Sequence, residues 1–198
     1  MVYFSVIVGL ALFGAFAWNL TARAGYESAE YKVVEADGNI EVREYPDLVL
    51  ASTKTRVDSR GRDGSFMRLF RYISGANESE QKIAMTTPVF MEEQDSDSAG
   101  QMGFVLPKEI ASAGAPNPVS DDVNLRERKG GRFAVIRFSG RMDVTKAKSE
   151  EAKLRKWMEA KGFRAADSGD VTDVEMAGYD PPFTPGPFRR NEVLIRLE

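Results

Sequence analysis

Residues 31–198 run twice through one order of elements: strand, strand, helix, strand, strand. That repetition restricts the fold more than any other feature of the chain. In the first pass, Ile40 and Val42 alternate and Leu48-Val49-Leu50-Ala51 forms a second apolar run, so residues 31–56 read as a strand pair. Asp37-Gly38 and Pro46-Asp47 supply turn chemistry. After a polar loop over 57–64, Asp63 or Ser65 is placed to cap a helix. Phe66, Leu69, Phe70 and Ile73 fall at i, i+3, i+4 and i+7 of that helix and make one apolar stripe. Arg68 and Arg71 point off it, and Gly75 is placed to stop it.

The stretch Lys82 to Phe90 reads as the next strand, with Ile83, Met85 and Thr87 on one face and Ala84 and Thr86 on the other. Pro88 has no N–H for a ladder and argues for a sheet edge, a bulge or the strand's exit. Glu92 to Gly100 is an acidic, serine-rich hairpin tip, and Met102 to Leu106 is the return strand. Residues 107–121, with Pro107, Pro116 and Pro118, read as a connector. The second pass begins with strands at Val123–Arg128 and Phe133–Phe138, joined by Lys129-Gly130-Gly131. A helix over 143–161 buries Val144, Ala147, Leu154, Trp157 and Met158 and ends at Gly162. Strands at Val171–Tyr179 and Val193–Leu197 flank a loop containing Pro181, Pro182, Pro185 and Pro187. The offset between the passes is about 80–90 residues. Two such units most economically share one antiparallel sheet or open barrel, with both helices packed on it. The fold class is therefore α+β, with about eight strands and two helices.

Composition narrows the chemistry. The chain has 198 residues and neither cysteine nor histidine. Disulfides, thiol nucleophiles, Cys/His zinc sites and histidine-based triads are excluded, as is the commonest axial ligand of heme iron. The net charge of −3, from 27 basic and 30 acidic residues, argues against nucleic acid as a partner.

The first 18 residues carry no charged side chain, and Val2 to Trp18 is nearly continuous in apolar residues. Ala22-Arg23-Ala24 follows, a small-x-small pattern suited to signal peptidase. Residues 1–24 are therefore a cleaved signal peptide or a retained membrane anchor, and either places residues 25–198 as one exported domain, periplasmic or facing the periplasm from the membrane. Residues 2–18 give the chain a route to membrane attachment.

Phe66-Met67-Arg68-Leu69-Phe70-Arg71-Tyr72-Ile73-Ser74-Gly75-Ala76-Asn77, followed by Lys82-Ile83-Ala84-Met85-Thr86-Thr87-Pro88-Val89, resembles the SOUL heme-binding family. Gly178-Tyr179-Asp180-Pro181-Pro182 and Arg189-Arg190-Asn191-Glu192-Val193 resemble its C-terminal signature. The resemblance runs from about Tyr31 to the end. It implies a distorted barrel of about eight strands and non-covalent binding of heme or another tetrapyrrole beside the first helix. It also implies that apolar contact supplies most of the affinity and basic groups meet the propionates. Without histidine, a His-ligated mode is ruled out, leaving no iron ligand or ligation by Met or Tyr.

A flat macrocycle needs an apolar wall and cations at its rim. Phe66, Leu69, Phe70 and Ile73 are the expected wall, with Met85 lining the cleft, unless the stripe packs on the sheet as helix stripes commonly do. Phe183 and Phe188, in the proline loop, either close over the ligand or cap the end of the barrel. Arg71, Arg189 and Arg190 are the expected propionate partners; the alternative is that they are solvated or pair with Asp180 or Glu192. Met85, Met91, Tyr72 and Tyr179 are the candidate iron ligands. The leading expectation is a monomeric, non-enzymatic carrier or buffer of tetrapyrroles. One rival is a hydrolase on a related ligand-binding fold, with Glu175 and Asp173 as the acids near a cleft strand. The other is a protein-interaction module at the membrane surface using the 92–100 tip.

Overall fold

A strand buried on both faces reads as a continuous apolar run, and two strands here do so. Phe133 and Val135 point to one face while Ala134, Ile136 and Phe138 point to the other, and all five are buried. Leu194 faces the first set and Val193 and Ile195 the second. These strands lie at the centre of the molecule, a computed structural model that describes residues 25–55, 63–92, 100–166, 174–181 and 183–198.

In chain order the elements are β1 (Glu27–Ser28), β2 (Lys32–Asp37), β3 (Ile40–Tyr45), β4 (Leu48–Lys54), α1 (Ser65–Ile73), β5 (Thr86–Thr87), β6 (Val89–Glu92) and β7 (Gln101–Val105). Then come α2 (Lys108–Ala113), β8 (Asn124–Arg128), β9 (Gly131–Phe138), α3 (Val144–Lys161), β10 (Val174–Gly178), a 3-10 turn at Gly186–Phe188 and β11 (Asn191–Arg196). Nine strands form one antiparallel sheet in the order β2-β3-β9-β11-β10-β6-β7-β4-β8. β1 and β5 make a separate two-stranded parallel pair. The large sheet curls into a half-barrel: Arg128 on its last strand pairs with Glu175 on β10, four strands away in the ladder.

Matching β3, β4, α1, β6 and β7 to β8, β9, α3, β10 and β11 maps the order of the eight shared strands onto its own reverse. The repeat is thus an approximate twofold with its axis between β6 and β10. The first strand of each half is exchanged: β3 pairs with β9 and β8 pairs with β4. The two equivalent turns also meet, since the Gly130 N–H donates to Asp47 Oδ1 at 2.7 Å.

The interior is filled by Tyr45, Leu50, Phe90, Val105, Phe133, Ala177 and Leu194. The helices cover the outer face. α1 packs Leu69, Tyr72 and Ile73 on Ala51, Phe104 and Leu106. α3 packs Ala147, Leu154 and Met158 on Val42, Ile136 and Ile195.

Several expectations change. Residues 31–56 hold three strands rather than two. The Lys82–Phe90 strand is broken: residues 82–85 are outside any strand, and Pro88, preceded by a cis peptide bond, separates β5 from β6 because it cannot donate to the ladder. The 107–121 connector contains α2. Asp63 does not occupy the N-cap, which is Gly64, but its Oδ1 accepts from Ser65 N at 3.0 Å. Asp143 and Gly162 end α3 as a side-chain N-cap and a left-handed C-cap. Within α3, Val144 is exposed and Trp157 half-buried, while Glu150, a charged residue, is buried between Lys146 and Lys153. The signal or anchor segment, the polar loop over 56–62, the hairpin tip at 93–99, Asp173 and Pro182 lie outside the described residues.

Candidate functional site

α1 has apolar residues at four positions of its stripe, and only some can face the sheet. The helix is rolled so that Leu69 and Ile73 are core residues, 0% and 5% exposed, with Tyr72 beside them. Phe66 and Phe70 are left on the flank, 36% and 43% exposed. Their rings lie nearly parallel, 12° apart in orientation with centroids separated by 6.2 Å, and Phe66 rests edge-on against Phe104.

These two rings form one wall of a cleft of about 310 Å³. Met85, Thr86, Thr87 and Val89 around the break at Pro88, and Gly178 to Pro181 with Phe183 at the start of the proline loop, also line it. Tyr26, next to the two-stranded pair, completes the described lining. Of the site residues expected from the sequence, the structure brings together Phe66, Phe70, Met85 and Phe183. Tyr26 was missed; its only sequence signal is an aromatic residue just before a β-pairing segment.

The other expected residues sit elsewhere. Leu69 and Ile73 belong to the core beneath α1, because a helix stripe this wide cannot be sheet-facing and cleft-facing at once. Arg71 lies on the opposite flank of α1, with Met67, Tyr72 and Pro118. Phe188 is half-exposed in the 3-10 turn and does not line the cleft. Arg189 donates from Nε to the Thr184 carbonyl at 2.7 Å and so ties the loop to itself. Arg190 donates from Nη2 to Glu192 Oε1 at 2.7 Å and to Tyr31 Oη at 3.1 Å. None of the residues lining the cleft is Lys or Arg.

Behind the cleft, inside the half-barrel, is a charged network of which the sequence offered one part, Arg190 with Glu192, as the alternative to a propionate contact. Arg43 makes a two-pronged pair with Glu192, Nη1 to Oε2 at 2.8 Å and Nη2 to Oε1 at 2.9 Å, with both residues about fully buried. Tyr179 donates its hydroxyl to the same carboxylate at 2.9 Å, and Arg190 lies over the Tyr179 ring. Burial pushes the Glu192 carboxyl up, but the hydrogen bonds and charges of Arg43 and Arg190 outweigh it and hold it below the usual carboxylate range. Burial pushes the Tyr179 hydroxyl well above its ordinary value and the Tyr45 hydroxyl up to about 12. Arg128 and Glu175 form a second interior pair, with Arg128 stacked on Phe90 and Phe133.

The four side chains offered as iron ligands differ in their surroundings. Tyr179 is among the residues lining the cleft, but its hydroxyl is turned inward to Glu192, and burial raises it well above its ordinary range. Tyr72 donates to the Pro116 carbonyl away from the cleft. Met91 does not line it, and Met85 does.

Comparison with known proteins identifies the family. The family model described as SOUL heme-binding protein matches residues 26–196. Heme-binding protein 1 of Xenopus tropicalis is 30% identical over 182 residues, covering 85% of this chain and 91% of that protein. Its Xenopus laevis counterpart is 29% identical over the same coverage. Among solved structures, a hydrolase from Listeria innocua superposes with a TM-score of 0.58 at 13% identity, covering 83% of this chain and 94% of that one. At that identity the likeness extends to the fold alone. Matched across nearly all of its described length and 30% identical to a named relative, the chain belongs to the SOUL heme-binding protein family.

Proposed function

We propose that this protein binds heme or a related tetrapyrrole non-covalently in the α1 cleft and acts as a carrier or buffer, without catalysing a reaction. The observation that carries the reading is the pair of nearly parallel, half-exposed rings Phe66 and Phe70 lining one apolar cleft with Phe183. Exposed aromatic surface is costly in water, and a macrocycle face covers it. Family membership and the relatives' name support the ligand class.

Micromolar binding requires about 8 kcal/mol. Here the apolar face supplies it, because Arg189 and Arg190 are engaged elsewhere and Arg71 lies on the opposite flank of α1. Among the candidate iron ligands, Met85, which lines the cleft, is the one this reading favours. Of the two acids of the hydrolase alternative, Glu175 is engaged by Arg128 inside the half-barrel and does not line the cleft, while Asp173 lies outside the described residues. Export of residues 25–198 is part of the proposal and rests on the uncharged N-terminal run.

Parallel titrations with heme and with metal-free protoporphyrin, followed by Soret absorbance and tyrosine/tryptophan quenching, test the reading. The expected result is one site per chain and similar dissociation constants for the two ligands. Saturable binding of neither overturns it. Binding of heme alone shifts the energy to iron, and Met85→Ala is then the variant that must abolish it.

A further inference from the structure

The chain enters the described fold at the rim of the cleft. Tyr26 lines the mouth, and the next two residues are clamped by the parallel β1–β5 pair and by Ala29 N donating to the Thr87 carbonyl at 2.7 Å. Residues 2–18 ahead of it carry no charge. Only residues 19–25 separate that run from Tyr26, a tether that spans at most about 25 Å when fully extended. A bilayer holding residues 2–18 therefore has the cleft mouth within its reach.

The rim has the composition of a surface that meets lipid. Phe183 is 76% exposed, and Phe66, Phe70 and Tyr26 are exposed or nearly so on the same mouth. The one carboxylate among the lining residues, Asp180, accepts from the Arg190 N–H at 2.6 Å. Exposed aromatic rings around an opening without lysine or arginine are disposed to enter the headgroup region, where Tyr and Phe side chains settle.

We infer that residues 2–18 are a retained anchor and that the mouth of the cleft rests on the lipid bilayer, with Phe183, Phe66, Phe70 and Tyr26 dipping into its interface. The tetrapyrrole, apolar on its faces and charged at one edge, then passes between cleft and membrane without crossing water. This rests on the proposed cleft function for its ligand, while the docking itself does not depend on it.

Because the chain has no cysteine, single-cysteine variants can be labelled at chosen sites. The full chain is reconstituted in phosphatidylcholine vesicles containing a nitroxide-labelled lipid. A polarity-sensitive dye is attached at Phe183→Cys, at Tyr26→Cys or, as a control, at Lys156→Cys on the exposed side of α3. The expected result is several-fold stronger quenching by the nitroxide lipid at 183 and 26 than at 156, with a blue shift at both rim sites. Equal quenching at all three positions overturns the inference. Rim dyes that are shielded from water without lipid quenching also overturn it, since a second copy of the chain or another protein then covers the mouth. Loss of residues 1–24 from protein isolated from its own membranes, read by N-terminal sequencing, overturns it as well. Heme titration of the unlabelled chain in detergent separates the two proposals: binding without rim quenching sinks the docking alone, and rim quenching without binding sinks the ligand alone.

Discussion

The inside of the half-barrel and the cleft outside it share Tyr179 and differ in almost everything else. The interior holds two arginine–glutamate pairs, and its Tyr179 contact is the hydroxyl on Glu192. The cleft holds stacked phenylalanines, and Tyr179 is part of its lining. A ligand with acidic side groups draws attention to arginines, yet Arg43 and Arg190 are already satisfied by a carboxylate of the protein's own. Charges buried without partners are costly, so the interior closes on itself. The apolar cleft has no such partner and stays open to a ligand. Stability should therefore reside in the first region and binding in the second.

The hardest test of that division is Glu192→Leu. It leaves the buried Arg43 guanidinium with only Glu41, on its Nε, as counter-charge and should cost about 3–5 kcal/mol of stability. The double variant Arg43→Met/Glu192→Leu should lose less than Glu192→Leu alone, as measured by urea denaturation. A mild single variant would mean that the interior is wetter than its burial implies.

Leu69→Ala should come next in size. It removes a fully buried side chain under α1 and should cost about 2–5 kcal/mol in thermal or chemical unfolding. Its effect on tetrapyrrole affinity in the folded protein should be small, because Leu69 does not line the cleft.

Phe70→Ala should do the reverse. The ring is 43% exposed, so stability should change by no more than about 0.5–1 kcal/mol, while affinity falls by about 1–2 kcal/mol, roughly 5–30-fold. Equal heme dissociation constants for Phe70→Ala and the parent protein would remove the cleft as the site.

Acid should act on the interior first. The folded Glu192 carboxyl lies below its ordinary value of 4.5, so the unfolded chain takes up the proton before the folded one. Its contribution is present in full above about pH 4.5 and is lost as the pH falls through the folded value. Stability measured from pH 6 downward should decline with a slope that flattens in Glu192→Gln.

Arg189→Ala should have the smallest effect. Its side chain holds the Thr184 carbonyl rather than the ligand, and the change in affinity should stay within about 0–1 kcal/mol.

The amino-acid sequence alone determined the repeat and most of its elements, but not the third strand within 31–56, the break at Pro88 or α2. The apolar run Phe133–Phe138 read as a strand, and a start at 143 and a stop at Gly162 bracketed α3, because period and capping are local properties. The absence of histidine and cysteine fixed which ligation chemistries were open. The cleft, too, was legible as the meeting of helix, broken strand and proline loop. What only the tertiary structure decided is how each shared residue is spent. The roll of α1 about its axis chose Leu69 and Ile73 for the core and Phe66 and Phe70 for the cleft, and the sheet beneath sets that roll. Arg43 meets Glu192 across 149 positions of chain, which a pattern of spacing could not reveal, whereas Arg190 meets the same carboxylate two residues away, the alternative that the sequence offered to a propionate contact. The exchange of β3 and β8 between the halves has the same origin: pairing energy is local in space, and the curl of the sheet decides which distant strands become neighbours.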